Sequence, residues 1–175
     1  MRHFKLLLSS FVASAIAISA HAANFTVNTT AFLDAGITPV LYTCDGKDIS
    51  PELSWANPPA KTQSFVVMMT DPDAPGGTFY HWIAYNIPSS VKEIAEGANP
   101  LPKGTIVGKN SWGKESYNGP CPPKGSSHTY FISLYALDTK LKLPAGADEK
   151  VVNEVMKSHI VGTAKLTTVY SRWNK

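Results

Sequence analysis

Apolar and aromatic runs separated by short turns make up most of the chain after residue 22. The run SFVVMMTD has no polar alternation, as in a strand that is buried on both faces. NFTVNTTAF alternates, and HWIAYNIP, TYFISLYALD and KLTTVYSRW are rich in aromatic and β-branched residues, so each predicts a further strand. The pattern therefore predicts a mainly β protein.

A helix is favoured only in residues 147–160. Acidic residues lie near the start of this segment and Gly162 follows its end, which is the usual placement at helix termini. Its apolar residues recur at helical spacing and are expected to form one buried stripe. The stripe comprises Val151, Val155 and Met156, with His159 beyond them.

Prolines and glycines are concentrated between these segments, in WANPPAK, DAPGGT, ANPLPKG and NGPCPPKG. Such stretches form rigid loops rather than flexible linkers. The sequence contains no repeat, low-complexity tail or domain boundary. We therefore predict one β-rich domain over residues 23–175, which is large enough to bury its own core.

The first 22 residues have the layout of a secretory signal peptide. Arg2 and Lys5 precede an apolar stretch of about 13 residues, and the segment ends in Ala20-His21-Ala22. A membrane anchor needs about 20 apolar residues, so cleavage after Ala22 and a periplasmic or secreted location are predicted. Later segments are too short or too polar for stable membrane insertion.

The charged residues argue against nucleic acid as a partner. The chain has 16 basic and 13 acidic side chains, and loss of Arg2 and Lys5 with the signal peptide lowers the formal charge from +3 to +1. The basic residues form no stripe along the sequence. Nucleic-acid binding depends on a concentrated positive surface, which this pattern does not predict.

Cys44 and Cys121 are the only cysteines. Export brings a chain into an oxidising compartment, where two cysteines tend to pair, so we predict a Cys44–Cys121 disulfide. Two free thiols or a shared metal site are the alternatives. The metal alternative is weak, because zinc sites combine Cys-x-x-Cys or His-x-x-x-His pairs that the sequence lacks.

Acidic, imidazole and phenol side chains lie at the ends of the predicted strands. Asp71 and Asp73 end one strand and His81 begins the next, while His128 and Tyr130 share a face of the strand after the proline-rich loop. Strand ends and adjacent loops are the usual positions of binding and catalytic groups. These five residues are therefore candidate site residues.

The same residues allow other interpretations. DPDAP alone is typical of a structural turn, because an aspartate side chain accepts hydrogen bonds from nearby backbone N–H groups. Two acids and two histidines also suit a metal, but only if their ligand atoms converge. A serine hydrolase is disfavoured, because the sequence has no Gly-x-Ser-x-Gly elbow.

Four blocks in order resemble the phosphatidylethanolamine-binding proteins, which include the Raf kinase inhibitor proteins. The blocks are CDGKDISPELSW (residues 44–55), DPDAP (71–75), HWIAYNIP (81–88) and GKNSWGKESYNGPCPPKGSSHTYFISLYALD (108–138). Together they run across most of residues 23–175. The sequence is most similar to the bacterial, Raf-kinase-inhibitor-like exported branch of the family.

The resemblance implies a β-sandwich with a large mostly antiparallel sheet, a smaller sheet and few short helices. It also implies a small cavity that takes phosphate or phosphoethanolamine head groups, without a metal or cofactor. The ligand-binding residues carried over by motif are Asp71, Asp73, Pro75, His81, Tyr117, Gly119, Pro120, Pro122, His128 and Tyr130.

Carboxylates repel phosphate, so Asp71 and Asp73 are not expected to hold the anion directly. Imidazole N–H, tyrosine O–H and backbone N–H groups of the glycine-rich loop are expected to do so. The acids would orient a histidine or a loop N–H, or meet an ammonium group of the ligand. A carboxylate beside His81 or His128 also favours the protonated imidazole, which predicts pH-dependent binding.

The leading hypothesis is an exported protein that binds a small phosphate-bearing or other anionic ligand and regulates or inhibits another protein. A second hypothesis is a protease or other protein inhibitor that needs no ligand and acts through exposed loops such as DAPGGTFYHW. A hydrolase with His81 and His128 as acid and base is the weakest hypothesis, because no nucleophile–base spacing supports it.

Overall fold

A computed structural model describes residues 23–173, and the predicted signal peptide, residues 1–22, lies outside this part of the chain. The elements are β1 (Thr26–Asn28), β2 (Gly36–Ile37), β3 (Leu53–Ala56), β4 (Ser64–Asp71), β5 (Phe79–Pro88), β6 (Glu93–Ile94), β7 (Ile106–Val107), β8 (Ser127–Leu137), α1 (Glu149–Met156) and β9 (Ile160–Ser171), with 3-10 turns at Val40–Tyr42 and Lys157–His159. No helix within residues 23–173 has the length and apolar character that crossing a membrane requires.

The strands form two sheets. The larger sheet has the order β2-β9-β8-β4-β5-β7, and all of its pairs are antiparallel except β2–β9. The smaller sheet has the order β1-β3-β6 and is antiparallel. The prediction of a large mostly antiparallel sheet, a smaller sheet and little helix is confirmed.

Strand β4 is buried along almost its whole length because both faces of the large sheet are covered. Its odd-numbered residues, such as Val67, pack in one cluster with Leu53 and Trp55 of the small sheet. Its even-numbered residues, such as Val66, pack in a second cluster with Val152 of α1. The unbroken apolar run therefore predicted correctly that this strand is buried on both faces.

Strands β5 and β8 each begin two residues earlier than predicted, and β1 and β9 differ more from their predicted bounds. β1 ends before Thr29, whose hydroxyl donates to the carbonyl oxygen of Glu52 (2.6 Å) and accepts from the N–H of Ala31 (3.2 Å). Such local side-chain bonds compete with strand pairing, so the segment NFTVNTTAF forms only a short strand. β9 begins at Ile160 rather than Lys165, because its first residues pair with the end of β8.

Helix α1 lies within the predicted segment but buries a different stripe. The Asp148 side chain caps it by accepting from the N–H of Val151 (3.0 Å). Val152 and Met156 face the core, whereas Val151 and Val155 are 42% and 37% exposed. The predicted burial of Val151 and Val155 was therefore wrong. The two pairs have the same helical spacing, and only the position of the sheet decides which pair is covered.

The Val152→Ala substitution is expected to lower the free energy of unfolding by about 2 kcal/mol, because it removes two methyl groups from a site with 0% exposure. Val151→Ala is the matched control and is expected to change the free energy of unfolding by less than about 0.5 kcal/mol. Urea unfolding of both variants measures the difference. Equal losses in the two variants would contradict the observed orientation of α1.

Candidate functional site

A β-bulge turns His81 toward the face of the large sheet that packs against the small sheet. Met69 of β4 lies opposite Trp82, but the next residue of β4 lies opposite residue 80, so His81 is an extra residue on β5. A bulge redirects a side chain that strict strand alternation would send to the other face. As a result, the His81 ring lies edge-on to the ring of Tyr130 on β8, with 5.3 Å between their centroids.

Asp71, the last residue of β4, is buried beside His128 near the start of β8. Its Oδ2 accepts a hydrogen bond from Nδ1 of His128 (2.7 Å), and its Oδ1 accepts from the N–H of Asp73 (2.9 Å). The Asp73 carboxylate accepts from the N–H of Thr129 (2.7 Å). The two acids thus orient a histidine and a backbone N–H, which are two of the roles predicted for them.

His81 is 2% exposed and is held through Nδ1. This nitrogen lies 2.9 Å from the carbonyl oxygen of Asn118 and 3.0 Å from that of Gly119, and it donates to them because carbonyl oxygens only accept. Burial lowers the pKa of His81 and outweighs the opposing effects of these carbonyls and of the Asp71 and Asp48 carboxylates. The carboxylates thus act on His81 in the predicted direction, but the larger effect of burial, which the prediction did not include, favours the neutral ring.

Tyr130 is fully buried on the β8 side of the cluster. Its hydroxyl makes no hydrogen bond of standard geometry within residues 23–173, although it lies close to Asp71. Burial, and after it the charge of Asp71, raises the pKa of Tyr130. The hydroxyl therefore keeps its proton and remains a hydrogen-bond donor.

Two aromatic side chains that the sequence analysis did not single out surround His81. The ring centroids of Phe79 and Trp112 lie 5.3 Å and 5.1 Å from the centroid of the His81 ring. The centroids of Phe79 and Trp112 are 4.5 Å apart. Trp112 belongs to the loop before the glycine- and proline-rich segment and is 45% exposed. The aromatic group therefore extends from the buried histidine to the protein surface.

Asp48 is a third residue of the site that the sequence analysis did not identify. Its carboxylate accepts from the N–H of Gly119 (2.6 Å) and from the side-chain amide of Asn118 (3.1 Å). These are the two residues whose carbonyl groups hold His81, so Asp48 stabilises the loop that orients the imidazole. Asp48 lies in the block CDGKDISPELSW, but 70 positions separate it from Asn118 and no spacing rule connects them.

The glycine- and proline-rich loop is attached to the rest of the protein by covalent and polar contacts. The predicted Cys44–Cys121 disulfide is present. The N–H of Cys44 donates to the carbonyl oxygen of Pro120 (3.2 Å), and Arg172 donates to the carbonyl oxygen of Pro122 (3.2 Å). Both prolines are buried, so they shape the loop beside Gly119.

Two predicted site residues have other surroundings. The Tyr117 hydroxyl donates to the carbonyl oxygen of Tyr42 (2.7 Å), and its ring packs edge-on against Trp82 at 5.6 Å. Tyr117 and Trp82 line a cavity of about 440 Å³, to which Asp48 also contributes. Pro75 is exposed in the turn between β4 and β5. The structure therefore brings together Asp71, His81, His128 and Tyr130 and leaves Tyr117 and Pro75 outside their contacts.

The cluster is suited to hydrogen bonding rather than to metal coordination. Across the described residues, 23–173, no three His, Cys, Asp or Glu side chains are grouped so that they could hold a metal ion. Two imidazoles, one phenol and one carboxylate instead lie together at the ends of β4, β5 and β8. These groups offer both donors and acceptors to a small polar ligand.

Sequence comparison relates this chain to one protein family. The family model described as phosphatidylethanolamine-binding protein matches residues 28–171. A UPF0098 protein of Aquifex aeolicus is 41% identical over 170 residues, which covers 95% of this chain and 99% of that protein. The UPF0098 protein YbcL of Escherichia coli is 34% identical over 184 residues, which covers 95% of this chain and 98% of that protein.

Solved structures agree with the sequence comparison. The structure of Escherichia coli YbcL, described as a new member of the mammalian PEBP family, has a TM-score of 0.81 at 31% identity, covering 85% of this chain and 99% of that one. The PEBP homolog CT736 of Chlamydia trachomatis has a TM-score of 0.78 at 35% identity, covering 85% and 97%. The chain therefore belongs to the phosphatidylethanolamine-binding protein family.

Proposed function

We propose that this protein binds a small anion, with phosphate-bearing head groups as the ligand class, at the cluster of Asp71, His81, His128 and Tyr130. The observation that carries the proposal is the convergence of these buried side chains while two of their polar atoms stay unused. The hydroxyl of Tyr130 is buried and makes no hydrogen bond of standard geometry in the part of the chain that the structure describes. The hydrogen bonds of the His81 ring use Nδ1, which leaves Nε2 available. A buried polar group without a partner is costly, and a ligand would remove this cost.

Two side chains supply the donors that an anion needs. The Tyr130 hydroxyl keeps its proton and makes no hydrogen bond of standard geometry among residues 23–173, although Asp71 lies close to it. His128 is held at Nδ1 by Asp71, so Nε2 lies on the far side of the ring from the carboxylate. When both ring nitrogens carry protons, Nε2 donates a charge-assisted hydrogen bond to an anion. Both oxygens of Asp71 accept hydrogen bonds, which reduces the repulsion between Asp71 and the ligand.

The burial of the cluster limits the size of the ligand. His81 and His128 are 2% and 8% exposed, and the rings of Phe79 and Trp112 pack around His81. A compact head group fits such a site better than an extended chain does. We therefore expect a phosphate-bearing head group or free phosphate to enter the site, and acyl chains to remain outside it.

Phosphoethanolamine is expected to bind the wild-type protein, and His128→Ala is expected to weaken binding at least about tenfold through loss of a charge-assisted hydrogen bond. His159→Ala is the matched control, because His159 also pairs with an aspartate (Asp138, 2.9 Å) but on the surface. Titration calorimetry measures both affinities. The proposal fails if the wild-type protein does not bind at millimolar concentration, or if the two variants lose affinity equally.

We also propose that the protein is exported and acts through binding, as a regulator of another protein, rather than as an enzyme. The Cys44–Cys121 disulfide is compatible with an oxidising compartment. Within residues 23–173, no histidine is hydrogen-bonded to a serine, threonine or cysteine that could act as a nucleophile. The intact mass of the exported chain tests this proposal, because retention of residues 1–22 would contradict it.

A further inference from the structure

We propose that the site selects oxyanions that carry an acidic proton, because His81 presents a hydrogen-bond acceptor to the ligand. The inference rests on the proposed function and names the protonation state of its ligand. A phosphate monoester monoanion would bind, whereas a sulfate ester of the same charge and nearly the same size would not. The proposal follows from the way in which His81 is held and from the groups around it.

The tautomer of His81 follows from its two partners. Nδ1 lies within hydrogen-bond distance of the carbonyl oxygens of Asn118 (2.9 Å) and Gly119 (3.0 Å), and neither oxygen can donate. Nδ1 therefore carries a proton in every protonation state of the ring. In the neutral imidazole the other nitrogen, Nε2, then holds a lone pair and only accepts.

Asp48 is the positioning residue that keeps the two carbonyl groups in place. It accepts from the N–H of Gly119 and from the side-chain amide of Asn118, at 2.6 Å and 3.1 Å. The Asn118 amide oxygen in turn accepts from the side chains of Asn110 and Ser116, both at 2.9 Å. The carbonyl pair is thus held from several sides, and rotation of the His81 ring would lose both of its hydrogen bonds.

The surroundings of His81 favour the neutral ring. The groups that favour the protonated ring, by raising the pKa of His81, are the Asn118 and Gly119 carbonyls and the Asp71 and Asp48 carboxylates. Burial between aromatic rings has the larger effect and lowers the pKa of His81. The physical reason is that an imidazolium loses more hydration than these neighbours replace. Nε2 is therefore an acceptor at neutral pH.

A ligand without a proton would place its own hydrogen-bond acceptors against acceptors of the site. A fully deprotonated oxyanion has only lone pairs to offer to Nε2 of His81, and the ionised Asp71 lies close by. A protonated phosphate offers an O–H group to Nε2 while its other oxygens accept from His128 and Tyr130. Sites that hydrogen-bond a ligand proton strongly reject the analogue that lacks it, because a buried polar group stays unpaired. If the ligand carries a proton, the site needs acceptors as well as donors, which also explains why a carboxylate lies in an anion site.

Methyl phosphate and methyl sulfate are the probes that separate proton recognition from charge. At about pH 5 both are monoanions, but only methyl phosphate has an O–H group, since the second pKa of a phosphate monoester is about 6. We expect methyl phosphate to bind at least tenfold tighter than methyl sulfate at pH 5, and this ratio to fall at pH 8, as measured by titration calorimetry. Methyl sulfate carries no proton at either pH, so it reports effects of pH on the protein alone.

Asp48→Asn is expected to lower the affinity ratio of the two probes at pH 5. Gly119 and Asn118 donate to different oxygens of Asp48, and asparagine replaces one of these oxygens by an NH2 group, which cannot accept. Asp138→Asn is the control for loss of one negative charge, since Asp138 contacts His159 on the surface instead. It is expected to leave the ratio unchanged.

The ring ¹⁵N chemical shifts of His81 in the wild-type protein test the tautomer without any substitution. We expect them to show a protonated Nδ1 and an unprotonated Nε2 at pH 5 and at pH 8. An Nε2–H ring at either pH, or equal affinities for the two probes at pH 5, would overturn the inference but leave an anion site in place. Failure of both probes to bind would overturn the proposed function together with it.

Discussion

Replacement of Gly119 by alanine is expected to lower the free energy of unfolding by more than about 4 kcal/mol. A Cβ atom at this position would lie 1.9 Å from the carbonyl oxygen of Tyr42, 2.8 Å from its carbonyl carbon and 3.0 Å from Cα of Thr43. All three atoms belong to the backbone, so no side-chain rotation relieves the overlap. The loop has to move, and its N–H then loses the hydrogen bond to Asp48.

Gly76→Ala is the matched control for Gly119→Ala. Gly76 lies in the exposed turn between β4 and β5, and a Cβ there would meet nothing within 4 Å. We expect its free energy of unfolding to change by less than about 1 kcal/mol. Urea unfolding measures both variants, and phosphoethanolamine titration shows whether any folded Gly119→Ala protein keeps its site. A Gly119→Ala protein as stable as Gly76→Ala would show that the close approach to Tyr42 is wrong.

Loss of the Cys44–Cys121 disulfide is expected to lower the free energy of unfolding by about 4 to 5 kcal/mol. The bridge joins positions separated by 77 in sequence, and a cross-link over such a loop removes much conformational entropy from the unfolded chain. A second effect adds to the first, because Cys121 lies two residues after Gly119, whose carbonyl oxygen holds His81. We therefore expect the reduced protein to lose affinity for phosphoethanolamine as well as stability.

The double variant Cys44→Ala/Cys121→Ala separates the cross-link from thiol chemistry. Its unfolding in urea is compared with that of the oxidised and the reduced wild-type protein, and the variant is expected to resemble the reduced form. Intact mass after alkylation identifies which form is present. A variant as stable as the oxidised protein would contradict a stabilising role for the bridge.

These two predictions concern one segment, residues 118–121, which links the regions that build the site. Asp48 and the disulfide attach this segment to the chain around Tyr42, and its carbonyls hold His81. The loop thus supports the imidazole of His81 from a segment that is itself held in place. Changes in it are expected to reduce stability and binding together, whereas His128→Ala changes mainly binding.

Much of the fold follows from local patterns. The run SFVVMMTD could only satisfy its apolar side chains by burial on both faces, and β4 has that position. Aromatic and β-branched runs gave β5, β8 and β9, because such residues pack well on a pleated surface. The two-residue strands β2, β6 and β7 had no such signal, since their pairing depends on neighbours far away in sequence.

The candidate site was predicted in part. Asp71, His81, His128 and Tyr130 were identified from strand ends and from the family resemblance, and the structure brings them together. Asp48 was not identified, because its hydrogen bonds span about 70 positions. The carboxylates favour protonation of His81 as predicted, but the sequence does not show how deeply the ring is buried, and burial outweighs them.

By itself, the sequence determined the positions of the long strands β4, β5, β8 and β9, which residues carry acid–base chemistry and that two cysteines were available to pair. These are properties of single residues and of short periodic patterns, and they act locally. The tertiary structure alone decided that a bulge turns His81 toward Tyr130, that α1 buries Val152 rather than Val151, and that Asp48 supports the loop beside His81. Burial, register and contacts between distant residues depend on the packing of the whole chain, and these determine which nitrogen of His81 is held by the Asn118 and Gly119 carbonyls.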